Sequence, residues 1–362
     1  MTESFDIVVV GGGASGLAAA VTAARSGRRT LLLDRLPAAG GTGGFSGLTT
    51  LCGLYDDNGH FLNHGFPREF ALALAETDPL KMGRVWVLPY RPEKFRECAL
   101  RFFAATPRLH TLWNTALTDV AVDGKKIASV NGIQASAVID CTGSAEVAGR
   151  LGLETLATDE RTQAPAVIFP LHNVRREFLT PAAAAQVMLP LLRAGYAPLN
   201  FQPTLTSNSV TVKFSGAPEA VPAVIEFLKK NTRGFEDCFT PLKSFLVTRR
   251  AGRMIPGEYL LTGDDVLAGK KFPDAVARCA WPMEQWNAAG GARYRYLPEG
   301  THYEIPARCL RSAEIRNLFM AGKTISADAD AIASARVMGC CLATGAAAGA
   351  LAADSLNSTD SK

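Results

Sequence analysis

Residues 7–10 are an unbroken apolar run, IVVV, set between Asp6 and a cluster of glycines. A short run of this kind, rich in β-branched side chains, reads as a buried parallel strand. Residues 14–26 are rich in Ala and Val and read as a helix, with Gly27 placed as its C-cap. A second apolar run, residues 30–33, ends at Asp34. Residues 35–53 form a loop holding six glycines, the mark of a backbone that must come close to something. Residues 54–95, broken by Pro67, Pro79, Pro89 and Pro92, read as irregular. A helix is expected over residues 93–105 and a strand over 109–113. Strands 117–122 and 127–130 bracket Asp123-Gly124, a hairpin signal. A further strand, 137–140, runs into Cys141-Thr142-Gly143.

The pattern changes over residues 155–302. Short strands (166–171, 210–214, 244–247) mix with a helix after Thr180 that has Pro181 in its first turn. A second helix is expected over 218–230. From residue 303 the earlier style returns. A strand over 317–321 ends at Gly322, and a small-residue helix over 333–353 follows. The expected fold class is therefore α/β. A Rossmann-like domain, a parallel sheet with helices and a β-hairpin insertion, is built from residues 1–154 and 303–362. A smaller α+β domain spans 155–302 and is expected to cover the substrate. Residues 54–95 are open to contributing to that second domain.

The chemistry begins at Gly11, Gly13 and Gly16. G-x-G-x-x-G directly after a strand and at the start of a helix is a dinucleotide-binding arrangement. Gly11 permits the tight turn, Gly13 lets backbone approach a pyrophosphate, and Gly16 lets helix and strand pack closely. The N–H groups at the helix start face the phosphates. Asp34 lies about 20 residues further on, where a carboxylate accepts the ribose hydroxyls. An acid there disfavours a 2′-phosphate, leaving FAD or NAD rather than NADP. No second G-x-G-x-x-G occurs, which argues against a separate NAD domain.

Composition narrows the partners. At 362 residues the chain is long enough for two domains, and its net charge of +4 comes without any basic block. Nucleic acid is not expected. Residues 338–353, Ala- and Gly-rich and shorter than the roughly 20 residues a span needs, read as a buried helix rather than a membrane segment. Strand one starts by residue 6 with no signal-peptide pattern before it, so a cytoplasmic protein is expected. The eight cysteines lack zinc-ligand spacing and are expected to be reduced. His60 and His64 stand four apart without further ligands, so no metal site is expected.

With these segments in hand, the chain resembles the FAD-dependent oxidoreductase family of the glutathione-reductase-like, two-dinucleotide-binding-domain flavoproteins. The resemblance rests on the N-terminal motif, Cys141-Thr142-Gly143, Arg250-x-x-Arg253-x-Ile255-x-Gly257-Glu258-Tyr259-x-Leu261, and Ile305-Pro306-x-Arg308-Cys309-Leu310. Ala321-Gly322-x-x-Ile325-Ser326 and Arg336-Val337-Met338 complete it. It implies FAD as cofactor, with Gly11, Gly13, Ala14, Ser15 and Gly16 at the pyrophosphate and Asp34 at the ribose. Arg35 and the loop holding Gly41, Thr42 and Gly43 would follow the ribityl chain. Val120 would meet adenine, Thr142 and Gly143 would line the cofactor, and Gly322 and Lys323 would approach the pyrophosphate. Lys323 stands where many members of the superfamily carry Asp.

Four residues are candidates for chemistry. Cys52 ends the glycine loop, where a thiolate would form a flavin adduct or exchange with a disulfide; a small buried hydrophobe is the alternative. Arg250 and Arg253 would clamp a substrate carboxylate or the flavin, or else pair with Asp264, Asp265 or Glu258. His302 is a candidate acid or base, or a packing residue. The expected reaction is oxidation of a small-molecule or peptidyl substrate by hydride transfer to the flavin. A flavin monooxygenase and a non-catalytic FAD-binding assembly protein are the alternatives. Nothing in the chain sets an oligomeric state.

Overall fold

The computed structural model describes residues 3–159, 163–179, 181–245, 247–287 and 291–357. Its centre is a seven-stranded sheet. The parallel part runs Leu109–Leu112, Thr30–Leu33, Ser4–Val10, Ile133–Asp140 and Leu318–Met320. The strand Ile133–Asp140 is shared: its C-terminal half pairs Leu318–Met320, and its N-terminal end pairs the hairpin Val120–Asp123/Lys126–Val130. Side chains alternate between the faces. Ile7, Val9, Leu32, Ala137 and Ile139 join one core, and Val8, Val10, Leu31, Leu33 and Val138 the other. Burial on both faces is what makes these strands read as continuous apolar runs.

The helix Ala14–Arg25 lies between the sheet and the last helix, Met338–Asn357, so nearly all of its residues are buried. Close approach is possible because both helices present small residues. A Cβ at Gly345 would sit 2.2 Å from the Ser15 carbonyl oxygen, and one at Gly349 would sit 2.4 Å from that of Ala19. Met338–Asn357 is the one helix among the described residues long and apolar enough to cross a membrane, and most of it is buried inside the protein.

A separate four-stranded antiparallel sheet has the order Leu199–Pro203, Ser209–Phe214, Ala166–His172, Val247–Thr248. The helices Pro181–Arg193 and Val221–Asn231 cover one face through Val210, Val212 and Phe214. Strand periodicity therefore sends Thr211 and Lys213 to the other face. That face meets the strand Thr50–Cys52. Thr49 Oγ1 donates to Thr211 Oγ1 at 3.0 Å, and Thr50 Oγ1 to Gln202 Oε1 at 3.0 Å.

Four sequence expectations need correction. Residues 54–95 hold regular structure: the helix Phe66–Leu74 and the hairpin Leu80–Met82/Val85–Pro89. Phe66, Phe70, Leu74 and Leu88 join the same core as the first helix, and the prolines sit at a helix start and a strand end. The glycine-rich loop contains a short helix, Gly41–Phe45. The continuous helix expected over 333–353 is two, Ala329–Ala335 and Met338–Asn357, broken at Arg336-Val337. The strand read over 244–247 is Val247–Thr248; Leu246, like Thr180, lies outside the described residues.

Candidate functional site

The glycine turn is held by backbone, and each glycine has its own reason. A Cβ at Gly11, whose φ is +104°, would meet the Cys141 carbonyl oxygen at 2.6 Å, and one at Gly16 would meet that of Gly11 at 1.7 Å. A Cβ at Gly13 would meet nothing within 4 Å. The first helix begins its hydrogen bonding with Leu17 N–H donating to the Gly13 carbonyl at 2.9 Å. The N–H groups of Ala14, Ser15 and Gly16 precede that bond and stand at the positive end of the helix, ready for an anion. Asp34 is buried and accepts from the N–H groups of Gly12 and of Leu36, the latter at 2.7 Å. Its carboxylate thus fixes the turn from the end of the second strand.

The short helix Gly41–Phe45 is pressed against this turn. Gly40 N–H donates to the Gly12 carbonyl at 2.9 Å, and a Cβ at Gly41 would sit 2.8 Å from Gly13 Cα. From outside, Tyr90 donates to the Gly43 carbonyl at 3.0 Å, and Arg96 to that of Gly44. Thr42 and Arg35 are exposed, and Arg35 lies 3.9 Å from Glu146. Val120 packs with the core on the far face of the sheet.

On the other side, Thr142 is positioned by Asp140, which the sequence reading passed over. Asp140 Oδ1 accepts from Thr142 N–H and Oγ1, and Oδ2 from Val147 N–H at 3.0 Å. Burial raises the Asp140 carboxyl to about 6 against the pull of those donors. Gly322 N–H donates to Thr344 Oγ1 at 3.1 Å, and a Cβ at Gly322 would meet Ser15 Oγ at 2.7 Å. Lys323 follows and lies along Gly143, 2.9 Å from where a Cβ there would stand. Its Nζ donates to the Arg249 carbonyl at 3.4 Å, and burial, with Arg336 nearby, lowers it to about 8.

The second half of the site is a half-buried cluster between the start of the last helix and the four-stranded sheet, with Glu284 its one buried member. It comprises Cys52, Lys213, Arg250, Glu284 and Arg336. Glu284 lies on the strand Met283–Asn287. It accepts from Trp281 Nε1 at 3.0 Å and Trp286 Nε1 at 2.6 Å, with the Tyr294 hydroxyl at 3.5 Å. Burial pushes its carboxyl up, but Lys213, Arg336 and the two indoles outweigh burial and hold it below its usual value. Arg250 stacks over Trp286, 4.0 Å from the ring centre, and donates to the Ala164 carbonyl at 2.5 Å. Burial and the repulsion of Arg336 lower it to about 9, so it stays a cation at neutral pH. Arg336 donates to the Glu284 carbonyl at 3.1 Å, while its Nε is buried without a partner. Cys52 lies within the field of Lys213, Glu284 and Arg336, and burial raises its thiol to about 11. The thiolate considered from sequence is thus not the form present at neutral pH.

Of the four catalytic candidates, the fold gathers Cys52 and Arg250. Arg253 is exposed on the strand Arg253–Met254, beside Gly149. His302 lies 3.9 Å from Glu304, its carbonyl accepts from Lys271, and burial with Lys271 and Arg278 lowers its pKa; none of these is a cluster residue. Of the acids proposed to neutralise the two arginines, Asp265 has other partners, Lys270 at 2.7 Å and the Tyr259 hydroxyl at 2.8 Å. Lys213, Glu284, Trp281 and Trp286 were missed because nothing in their local sequence marks them. Arg336 carried a signal, since it stands in the Arg-Val-Met motif at a helix break.

The family model described as FAD dependent oxidoreductase matches residues 6–197 and 199–361. The chain belongs to the FAD-dependent oxidoreductase family. Its cofactor is FAD. No curated protein matches the sequence. Among solved structures, this flavoprotein is similar to a geranylgeranyl bacteriochlorophyll reductase-like protein from Thermoplasma acidophilum, at 13% identity and a TM-score of 0.53, over 99% of this chain and 80% of that one. It is also similar to GidA from Aquifex aeolicus, at 13% identity and a TM-score of 0.55, over 97% and 66%. A flavoprotein/dehydrogenase from Cytophaga hutchinsonii aligns at 14% identity with a TM-score of 0.50, over 98% and 79%. At these identities the likeness is one of fold.

The residues present fit FAD. Open space faces Gly13, unengaged N–H groups stand at Ala14–Gly16, and an orphaned guanidinium nitrogen sits at the start of the last helix. Asp34→Ala removes the acceptor that fixes the Gly12 turn. It is expected to weaken FAD binding by about 10–100-fold if the carboxylate also takes the ribose, since each charge-assisted bond contributes about 1.5–3 kcal/mol. Titration of the apoprotein with FAD checks this; an unchanged affinity would place the acid away from the ribose.

Proposed function

We propose that this flavoprotein oxidises a small organic substrate by hydride transfer to FAD, within the glutathione-reductase-like group. The group assignment is supported by the parallel order of the main sheet and the return of Leu318–Met320 beside Ile133–Asp140. When bound, FAD supplies a two-electron acceptor whose reduction leaves negative charge on the pyrimidine end of its ring. Gly11–Gly16, Asp34, Gly40–Gly44, Gly322 and Lys323 would hold the rest of the molecule.

The observation that carries the reading is Arg336. It stands at the break between two helices, two residues before the start of Met338–Asn357, half-buried, with its buried Nε unsatisfied. A guanidinium and a helix N-terminus together stabilise negative charge arriving there. Lys213 and Arg250 add to that field, and Trp281, Trp286 and the four-stranded sheet exclude water. The field of Lys213 and Arg336 favours the Cys52 thiolate, but burial outweighs it and Cys52 keeps its proton.

Arg336→Met is expected to lower the two-electron midpoint potential by about 30–60 mV, the equivalent of one charge-assisted hydrogen bond of about 1.5–3 kcal/mol. FAD content should stay stoichiometric. A potentiometric titration in which wild type and variant coincide would remove Arg336 from the flavin. Reduction of the flavin by a small-molecule donor, with peroxide release on reoxidation in air, tests the reaction itself.

A further inference from the structure

The cluster sets three basic side chains, the half-buried Lys213, Arg250 and Arg336, against one buried carboxylate, Glu284. That carboxylate does not form an ion pair with any of them. Its oxygens take two indole N–H groups and lie near a phenol. Lys213 reaches the cluster from the strand Ser209–Phe214, and among the described residues its Nζ has neither a hydrogen bond nor a salt bridge. Burial lowers the Lys213 pKa, against the favourable pull of Glu284 and Cys52. Gln163, which donates to the Glu284 carbonyl at 3.1 Å, keeps a buried Oε1 with no partner.

Buried charges without a counter-charge destabilise a fold, and removing them is often neutral or stabilising. Three cations kept around one engaged carboxylate imply that negative charge arrives from outside the chain. Arg336, at the foot of the last helix, is placed for charge on the flavin. Lys213 and Arg250 remain, one on the four-stranded sheet and the other stacked on Trp286.

We infer that Lys213 and Arg250, with Trp286, form the binding site for a carboxylate group of the substrate. The guanidinium offers planar bidentate donors held flat against an indole, and the ammonium adds a second, freely turning donor. Trp286 beneath the guanidinium, with the Trp281 indole on the neighbouring Glu284, suits a carboxylate carried on an aromatic body. This substrate class rests on the proposed hydride-transfer function, and the test separates the two.

The experiment titrates the FAD-loaded protein with benzoate and with benzamide, its neutral isostere, followed by calorimetry and by perturbation of the flavin absorbance. Benzoate is expected to bind about tenfold or more tightly than benzamide. Lys213→Met and Arg250→Met should each remove most of that preference while FAD content stays stoichiometric. Lys213→Arg, which keeps the charge, should retain it. Lys213→Met should also leave the melting temperature of the ligand-free protein unchanged or raised, as expected for a cation with no partner. Equal binding of benzoate and benzamide would overturn the inference. So would an unchanged benzoate affinity in Lys213→Met, or competition by inorganic phosphate at lower concentration than benzoate. A Lys213-dependent benzoate preference in a protein whose flavin accepts no hydride would sustain the carboxylate site and sink the proposed reaction. Normal flavin reduction without the preference would do the reverse.

Discussion

Gly13→Val gives a folded protein without FAD. The expectation follows from the contrast among three glycines one turn apart. Side chains at Gly11 and Gly16 would strike backbone at 2.6 and 1.7 Å, so substitution there breaks the turn. A Cβ at Gly13 has no atom beyond its chain neighbours within 4 Å, and its φ of −73° and ψ of −169° are open to any residue. The valine branches fill instead the space the pyrophosphate requires in front of the helix N-terminus. Purified Gly13→Val should be colourless, should resist reconstitution, and should melt close to the wild-type apoprotein. Gly16→Val should fail to fold at all. Stoichiometric yellow Gly13→Val would mean that the loop holds no phosphate.

Gly345→Val is expected to prevent stable folding. The obstacle is the Ser15 carbonyl oxygen, 2.2 Å from the added Cβ, which belongs to a helix pinned on its other side by the sheet. Overpacking typically costs about 1–3 kcal/mol when side chains can yield, and more when backbone must move. A domain's whole stability is about 5–15 kcal/mol. Separating the two helices would also expose the apolar stripe of the first. Soluble yield and urea denaturation provide the readout. A Gly345→Val protein with the wild-type midpoint would show that the last helix does not pack there as described.

The parts legible from sequence were those whose signal is local. Strand, glycine turn, helix, strand and Asp34 follow one another within a few turns, and the structure keeps them in that order. The strand ending at Gly322 was also readable, since a short apolar run before glycine needs no partner to be recognised. Gly41–Phe45 was hidden because glycine disfavours helix, and that helix owes its form to Tyr90, Phe95 and Arg96 clamping it. The break at Arg336-Val337 was hidden among strong helix formers. The cluster was illegible for another reason. Lys213, Arg250, Glu284 and Arg336 come from four distant segments; Arg250 and Arg336 stand in motifs, but Lys213 and Glu284 each look like an ordinary charged residue. Tertiary contacts bring them together: Thr49 and Thr50 meet the Lys213 face of the four-stranded sheet, Arg250 stacks on Trp286, and Arg336 donates to the Glu284 carbonyl. Arg250 and Arg253 look equivalent in the motif, and the fold separates them, one stacked on Trp286 and the other exposed.

The pairing of the first helix with the last has a consequence for how the chain is made. Ser15 and Ala19 are synthesised more than 300 residues before Gly345 and Gly349. The central strand Ile133–Asp140 likewise waits for Leu318–Met320 to cover its C-terminal edge. At ordinary elongation rates this interval is on the order of tens of seconds. Throughout it the nascent cofactor half has an uncovered helix face and an open strand edge, the surfaces on which chains associate wrongly. Its closing contacts join segments more than 300 residues apart, which slows folding. A ribosome-bound chain stopped before residue 318 should therefore remain protease-sensitive in its first 140 residues, however complete its glycine motif.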